Sequence, residues 1–290
     1  TRSRTGKLAP PRPGLLAWVV EASRAAGVDL ALVPASVSYD QLHEDEEFAG
    51  EARGAGKQAE SLGWLLRYVR AQRGRFGDIH VRFGEPVMLG AGGTAEPPGE
   101  AGSDRAVEKL ALEVCWRIAQ ATPVAGTALV AVALLGARGS PLSGTQLRVA
   151  LRGYLAHARR RGFPLAPNAD VTQPAALERH LDALVGRGVA LRLGGSVAPR
   201  FAVAPGSQLQ VSYYRNSLVH HYLPGAIAEL AMLAASQSAV AGRVEAFDAA
   251  ALALRELLKY EFFFQEKGEF LAVLAVEARR IDPRWPASLE

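Results

Sequence analysis

The chain has 290 residues, 49% of them hydrophobic and 21% charged, with a net charge of +4. That suits one large domain or two ordinary ones, and a mild attraction for anions, but not a polybasic nucleic-acid tail. A single cysteine, Cys115, excludes a disulfide framework and any multi-cysteine metal site.

The first heptad, Thr1-Arg2-Ser3-Arg4-Thr5-Gly6-Lys7, gathers three cations and three hydroxyls around one glycine. An arginine fork matches phosphate or carboxylate bidentately, and hydroxyls with a glycine-loosened backbone add donors at close range. The heptad reads as an anion clamp, the plainer alternative being a frayed basic terminus. Opening inside so loaded a motif, without Met, the chain is expected to be the C-terminal part of a longer protein.

Leu15 to Val28 is predicted to be a helix with Leu15, Trp18, Val19 and Ala22 on its apolar face. Leu30 to Val37 reads as a strand of a parallel sheet, interrupted or bulged at Pro34. Ser36, Ser38, Tyr39 and Asp40 follow at the strand's C-terminal end, where open α/β sheets collect ligands. Glu44–Glu47 are a solvated helix start rather than a metal site, and Arg53 to Lys57 (RGAGK) lacks the GKS/T of a P-loop. Glu60 to Gln72 is an amphipathic helix, and Ile79 to Phe83 a half-buried strand with Ile79, Val81 and Phe83 inward. Gly90 to Gly102 reads as a linker.

Beyond it helices dominate. Ser103 or Asp104 is expected to cap one helix, Ala125 to Gly136 is apolar nearly all round and so buried, and Ser143 caps Thr145 to Arg161. Pro174 sits near the first position of a helix ended by Gly186 and Gly188. Val189 to Val203 alternates around Gly194-Gly195 as a β-hairpin. Helix, helix, helix, hairpin is the order of a winged helix. From Ser217 the chain reads as helical, with an apolar face over Glu245 to Phe264 suited to domain docking or a membrane interface. The longest apolar run, Val124 to Gly136, is shorter than the ~18–20 residues a bilayer span needs.

Of six histidines only His80 has an acid five positions on, Glu85, and strand alternation turns His80 away from its neighbours. That pair is read as a decoy. Adjacent His220 and His221 diverge by ~100° on a helix and make poor metal ligands. The residues offer an anion site, no convincing catalytic base and no metal site.

The opening heptad resembles the third conserved block of the glycerol-3-phosphate acyltransferases, and Val33-Pro34-Ala35-Ser36-Val37-Ser38-Tyr39-Asp40 resembles the fourth. Glu60-Ser61-Leu62, Phe83-Gly84-Glu85-Pro86, Tyr213-Tyr214-Arg215-Asn216 and Tyr260-Glu261-Phe262-Phe263 resemble further segments of the bacterial and mitochondrial branch.

The resemblance implies acyl transfer from acyl-CoA or acyl carrier protein to the sn-1 hydroxyl of glycerol 3-phosphate, without metal or cofactor. The product would be lysophosphatidic acid, the first intermediate of phospholipid synthesis. The family's base lies in a His-x4-Asp block upstream of the heptad. No catalytic residue is therefore assigned here, and the N-terminal part of the same protein is an expected partner. Carried over as substrate-binding residues are Arg2, Ser3, Arg4 and Lys7 for the phosphate. Pro34 and Tyr39 would shape a pocket, and Lys57 is an additional phosphate contact.

The implied architecture is α/β. Residues 1–92 would be the C-terminal part of an acyltransferase β/α sheet domain. Residues 103–290 would be a mainly helical domain, winged-helix-like over 125–204 and helical over 213–280. The protein is expected as a peripheral or monotopic protein at the cytoplasmic membrane surface. The alternative, a winged-helix nucleic-acid-binding module, is weakened by Glu178 and Asp182 beside Arg179, His180 and Arg187 on the best recognition helix. No nucleic-acid partner is expected.

Overall fold

The structure is a computed structural model describing residues 2–3, 5–41, 77–90, 104–195 and 197–287. The expected acidic run, the RGAGK turn, the Glu60 to Gln72 helix and the linker from 91 onward lie outside these residues. The elements are α1 (Gly14–Ala26), β1 (Leu30–Leu32), β2 (Ala35–Tyr39), β3 (Ile79–Phe83), β4 (Val87–Leu89), α2 (Asp104–Ala121), α3 (Gly126–Gly136), β5 (Leu142–Ser143), α4 (Gly144–Arg161), α5 (Pro174–Gly186), β6 (Ala190–Leu193), β7 (Arg200–Val203), α6 (Gln208–Asn216), α7 (Val219–Ala235), α8 (Arg243–Leu258) and α9 (Lys267–Ile281). The fold is mixed α/β, mainly helical with small sheets. Among the described residues no single helix is long and apolar enough to cross a membrane.

Two compact units form. One comprises Thr1–Ala9, Ser36–Arg82 and Thr122–Leu218. Its core is α3, whose Gly-Thr-Ala-Leu-Val-Ala start is wholly buried because no polar face interrupts it. Helices α4, α5 and α6 pack around it. Helix α4 opens with a capping box: the Ser143 hydroxyl accepts from the Gln146 amide at 3.2 Å, and Gln146 Oε1 accepts from the Ser143 amide at 2.9 Å. It buries Leu147, Leu151, Leu155 and Ala158 at helical spacing and ends at Gly162, left-handed with φ 67°. Pro174 opens α5, which buries Leu177, His180, Leu181 and Leu184. Strands β5, β7 and β6 form a sheet in that order, with Ala190 opposite Val203 and Leu142 opposite Phe201. Arg192 lies over the Phe201 ring at 5.0 Å and pairs with Glu178 at 2.7 Å and with Asp182.

The second unit comprises Pro10–Ala35, Phe83–Ala121 and Val219–Glu290. Here α7, α8 and α9 enclose Ile227, Met232, Phe247, Phe270, Leu274 and Trp285. Three sequence expectations change in this unit. The Leu30 to Val37 run breaks at Val33-Pro34 into β1 and β2. β1 pairs antiparallel with β4, Leu30 opposite Leu89, instead of joining a parallel sheet. Pro34 has no amide to donate, and its carbonyl instead accepts from the Gly84 amide at 2.8 Å. Helix α1 forms, but Leu15 and Trp18 are each 72% exposed and Val20 is the buried residue, so the predicted apolar face turns outward. Helix α8 stops at Leu258, short of Phe264. Phe264 instead meets Phe270 edge-on at 5.3 Å, with the Arg255 guanidinium 5.7 and 5.8 Å from the two rings.

Strand β3 carries the fourth correction. Ile79 and Val81 are exposed and His80 is 8% exposed, the reverse of the predicted parity. Period-2 alternation fixes which residues share a face, not which face is covered. In β2 the covered face is likewise polar, bearing Ser36 and Ser38.

Candidate functional site

Residues 2–3 and 5–8 come together in a tight turn. Arg2 bridges Leu8 in antiparallel fashion, the Ser3 amide donates to the Lys7 carbonyl at 2.6 Å, and the Gly6 amide donates to the Ser3 carbonyl at 2.9 Å. Gly6 is required twice. Its φ is +83°, and a Cβ there would lie 2.2 Å from the Tyr213 carbonyl oxygen. The Ser3 and Thr5 hydroxyls are 2.9 Å apart.

Arg2 is the anchor. One Nη donates to the Gly6 carbonyl at 3.0 Å and the other to Thr122 Oγ1 at 2.9 Å. Thr122, fully buried, meets the Ser36 hydroxyl at 2.7 Å. The buried Arg2 Nε has no hydrogen-bond partner among the described residues. Burial pushes the Arg2 guanidinium below its usual range, and burial together with the Arg215 charge lowers Lys7. A buried donor left unpaired, as Arg2 Nε is, is stabilised by an incoming anion.

Of the residues expected to bind substrate, Arg2, Ser3 and Lys7 share this turn. Arg4 and Lys57 lie outside the described residues. Pro34 is buried with its carbonyl bonded to Gly84. Tyr39 is 38% exposed, on the face of β2 opposite Ser36 and so directed away from the Arg2–Thr122 network. Two participants were not assigned to the site from the sequence. Thr122 is an isolated hydroxyl after a helix. Asn216, whose Nδ2 donates to the Thr5 carbonyl at 2.8 Å, is 211 residues away. The polar sequence at Ser36 and the Tyr213–Asn216 segment were the available pointers.

A second polar cluster lies on the covered face of β2 and β3. His80 Nε2 is 3.2 Å from Asp40 Oδ1, so its carboxylate partner is Asp40 and not Glu85. Asp40 Oδ2 accepts from the Asp78 amide at 3.2 Å and from Asn168 Nδ2. Ligand atoms of Asp40, Asp78 and His80 lie within 4.8 Å of one another, the spacing of a cation site. Both Asp40 oxygens are already committed to hydrogen bonds, however, so the cluster reads as a satisfied network. His180 Nδ1 is 3.0 Å from Thr127 Oγ1, and burial lowers its pKa against the opposing charge of Asp40. His220 Nε2 donates to the Ala119 carbonyl at 2.6 Å, and the His220 and His221 rings lie 4.0 Å apart instead of diverging as expected.

The family described as the glycerol-3-phosphate acyltransferase C-terminal region matches residues 48–284. The chain is 37% identical over 279 residues to the acyltransferases named plsB1 of Mycobacterium tuberculosis and Mycobacterium bovis, covering 95% of this chain and 45% of theirs. It is 28% identical over 242 residues to the glycerol-3-phosphate acyltransferase of Pseudomonas entomophila, covering 78% of this chain and 29% of that protein. The chain thus spans less than half the length of these curated relatives. On a match of this extent, the chain belongs to the glycerol-3-phosphate acyltransferase C-terminal region family.

Proposed function

We propose that the chain is the C-terminal part of an enzyme that transfers a fatty acyl group from acyl-CoA or acyl carrier protein to the sn-1 hydroxyl of glycerol 3-phosphate, giving lysophosphatidic acid. The observation that carries this reading is the turn at residues 2 to 8, with its buried, incompletely paired Arg2. Arg2 and Lys7, with the Ser3 hydroxyl and Arg4, take the phosphate through charge-assisted hydrogen bonds. Thr122 and Ser36 hold the Arg2 fork in place. Binding the phosphate fixes the acceptor, and its free hydroxyl attacks the thioester carbonyl. The proton leaves to a histidine outside this chain, because no His here is followed five positions later by Asp. The thiolate of the donor departs and is reprotonated.

The names and matched lengths of the relatives support this reading. The test supplies radiolabelled glycerol 3-phosphate and acyl-CoA to the full-length natural polypeptide and to residues 1–290 alone. The full-length protein is expected to form labelled lysophosphatidic acid and the shorter chain none. No product from the full-length protein would overturn the reading.

Within this enzyme we read residues 125–204 as winged-helix-like. The support is the set α3, α4 and α5 with the sheet order β5-β7-β6. The resemblance assigns the acyltransferase sheet domain to 1–92 and the helical domain to 103–290, whereas each compact unit draws on residues from both sides of that boundary. A peripheral position on the cytoplasmic membrane face is supported by exposed Leu257 and Tyr260. Co-sedimentation with anionic vesicles tests it. Arg192 is taken up by Glu178 and Asp182 on α5, so that helix carries no case for a nucleic-acid groove.

A further inference from the structure

We propose that Arg215, held in place by Asn216, is a further cation of the anion clamp. This rests on the reading of the heptad as a phosphate site and extends it to a segment 211 residues away, at the C-terminal end of α6.

Two contacts join the segment to the turn. Asn216 Nδ2 donates to the Thr5 carbonyl at 2.8 Å. The Tyr213 carbonyl sits where any side chain at position 6 would go. The Arg215 charge, after burial, also lowers the Lys7 pKa. Asn216 therefore uses both ends of its amide. Its Nδ2 fixes the turn, while Oδ1 accepts from Arg215 Nε at 3.0 Å and Nη2 at 2.9 Å. One edge of the guanidinium is thereby pinned. Nη1 has no hydrogen-bond partner among the described residues, and no acidic side chain there pairs with Arg2 or Arg215.

Here the neutral Asn216 amide, not a carboxylate, orients Arg215, so the positive charge stays available. The macrodipole also favours a cation in the last turn of α6. A phosphomonoester carries ~1.5 to 2 negative charges near neutral pH and offers three terminal oxygens. That suits several converging donors better than a singly charged diester does. Two substrates of the proposed reaction present such a group: glycerol 3-phosphate, and the 3′-phosphate of coenzyme A.

The experiment is steady-state kinetics on the full-length protein, with isothermal titration of inorganic phosphate in parallel. Arg215→Gln is expected to raise the KM for glycerol 3-phosphate roughly ten-fold or more. The kcat and the KM of the acyl donor should change little, and Arg215→Lys should recover part of the loss. Asn216→Asp keeps an acceptor for Arg215 but loses the Nδ2 donor to the Thr5 carbonyl and adds a negative charge, and is expected to weaken phosphate binding and to loosen the turn. If Arg2→Ala raises the KM for glycerol 3-phosphate and Arg215→Gln does not, Arg215 is outside the clamp and the inference fails while the function stands. If the KM of acyl-CoA moves instead, Arg215 meets a phosphate of the donor, and the assignment of the clamp to glycerol 3-phosphate falls. If the protein uses no glycerol 3-phosphate at all, the functional reading fails. Phosphate titration then decides Arg215 alone: weaker binding in Arg215→Gln upholds it, and unchanged binding overturns it.

Discussion

Gly6 carries more constraint than any other residue of the turn. Its φ of +83° disfavours any L side chain, and the Tyr213 carbonyl occupies the Cβ position at 2.2 Å. Gly6→Ala is expected to destabilise the fold by about 1–3 kcal/mol, seen as a lower urea midpoint. The turn would separate from Tyr213, and use of glycerol 3-phosphate should weaken with it. His180 gives a pH dependence. Burial lowers its folded pKa below the unfolded value of about 6.5. Above that value both states are neutral and nothing is lost. Below it the unfolded chain takes the proton first, so stability falls with pH, by at most about 1.4 kcal/mol per unit. Urea midpoints at pH 7.5 and 5.5 should differ less in His180→Gln than in the wild type, and equal differences would contradict this. At this scale Arg2, Ser3 and Lys7 could be grouped from the sequence because they are near neighbours in it. Thr122 and Asn216 were not, because a hydrogen-bond partner is chosen by tertiary packing, and Asn216 reaches Thr5 across 211 positions.

Among elements, those with strong local punctuation were legible. Ser143, Gln146 and Gly162 bound α4, Pro174 opens α5, and the alternation of Leu191, Leu193, Phe201 and Val203 marks the hairpin. Ser143→Ala should destabilise by about 0.5–2 kcal/mol through loss of the capping box. Leu151→Ala, at a fully buried site on the same helix, should cost about 2–5 kcal/mol. Thermal melts of both variants check the order, and a larger effect at Ser143 would show that packing on α4 is looser than its burial implies. The misread elements lacked such punctuation. Nothing in Tyr260 to Phe264 breaks a helix, yet Phe264 turns back to Phe270. In β3 the inward parity was assigned to Ile79, Val81 and Phe83 because they are apolar. The covered face instead holds His80, satisfied by Asp40, so its burial carries little penalty.

For the whole molecule, the family was legible from ordered blocks, while the interleaving of the two units was not. Three separate stretches of chain build each unit, a closure no local pattern encodes. The relatives are more than twice as long as the matched stretch, so the clamp is best probed in the full-length polypeptide. The direct measurement is steady-state kinetics of Arg2→Ala with each substrate varied in turn. Loss of a charged hydrogen-bonding group that meets phosphate costs about 1.5–3 kcal/mol, a roughly ten- to hundred-fold rise in the KM for glycerol 3-phosphate. Arg2→Lys should recover only part, because a point charge does not reproduce the fork that reaches Gly6 and Thr122. The KM of the acyl donor should stay where it is. If the donor's KM rises and that of glycerol 3-phosphate does not, the clamp holds the donor's phosphates and the central assignment is wrong.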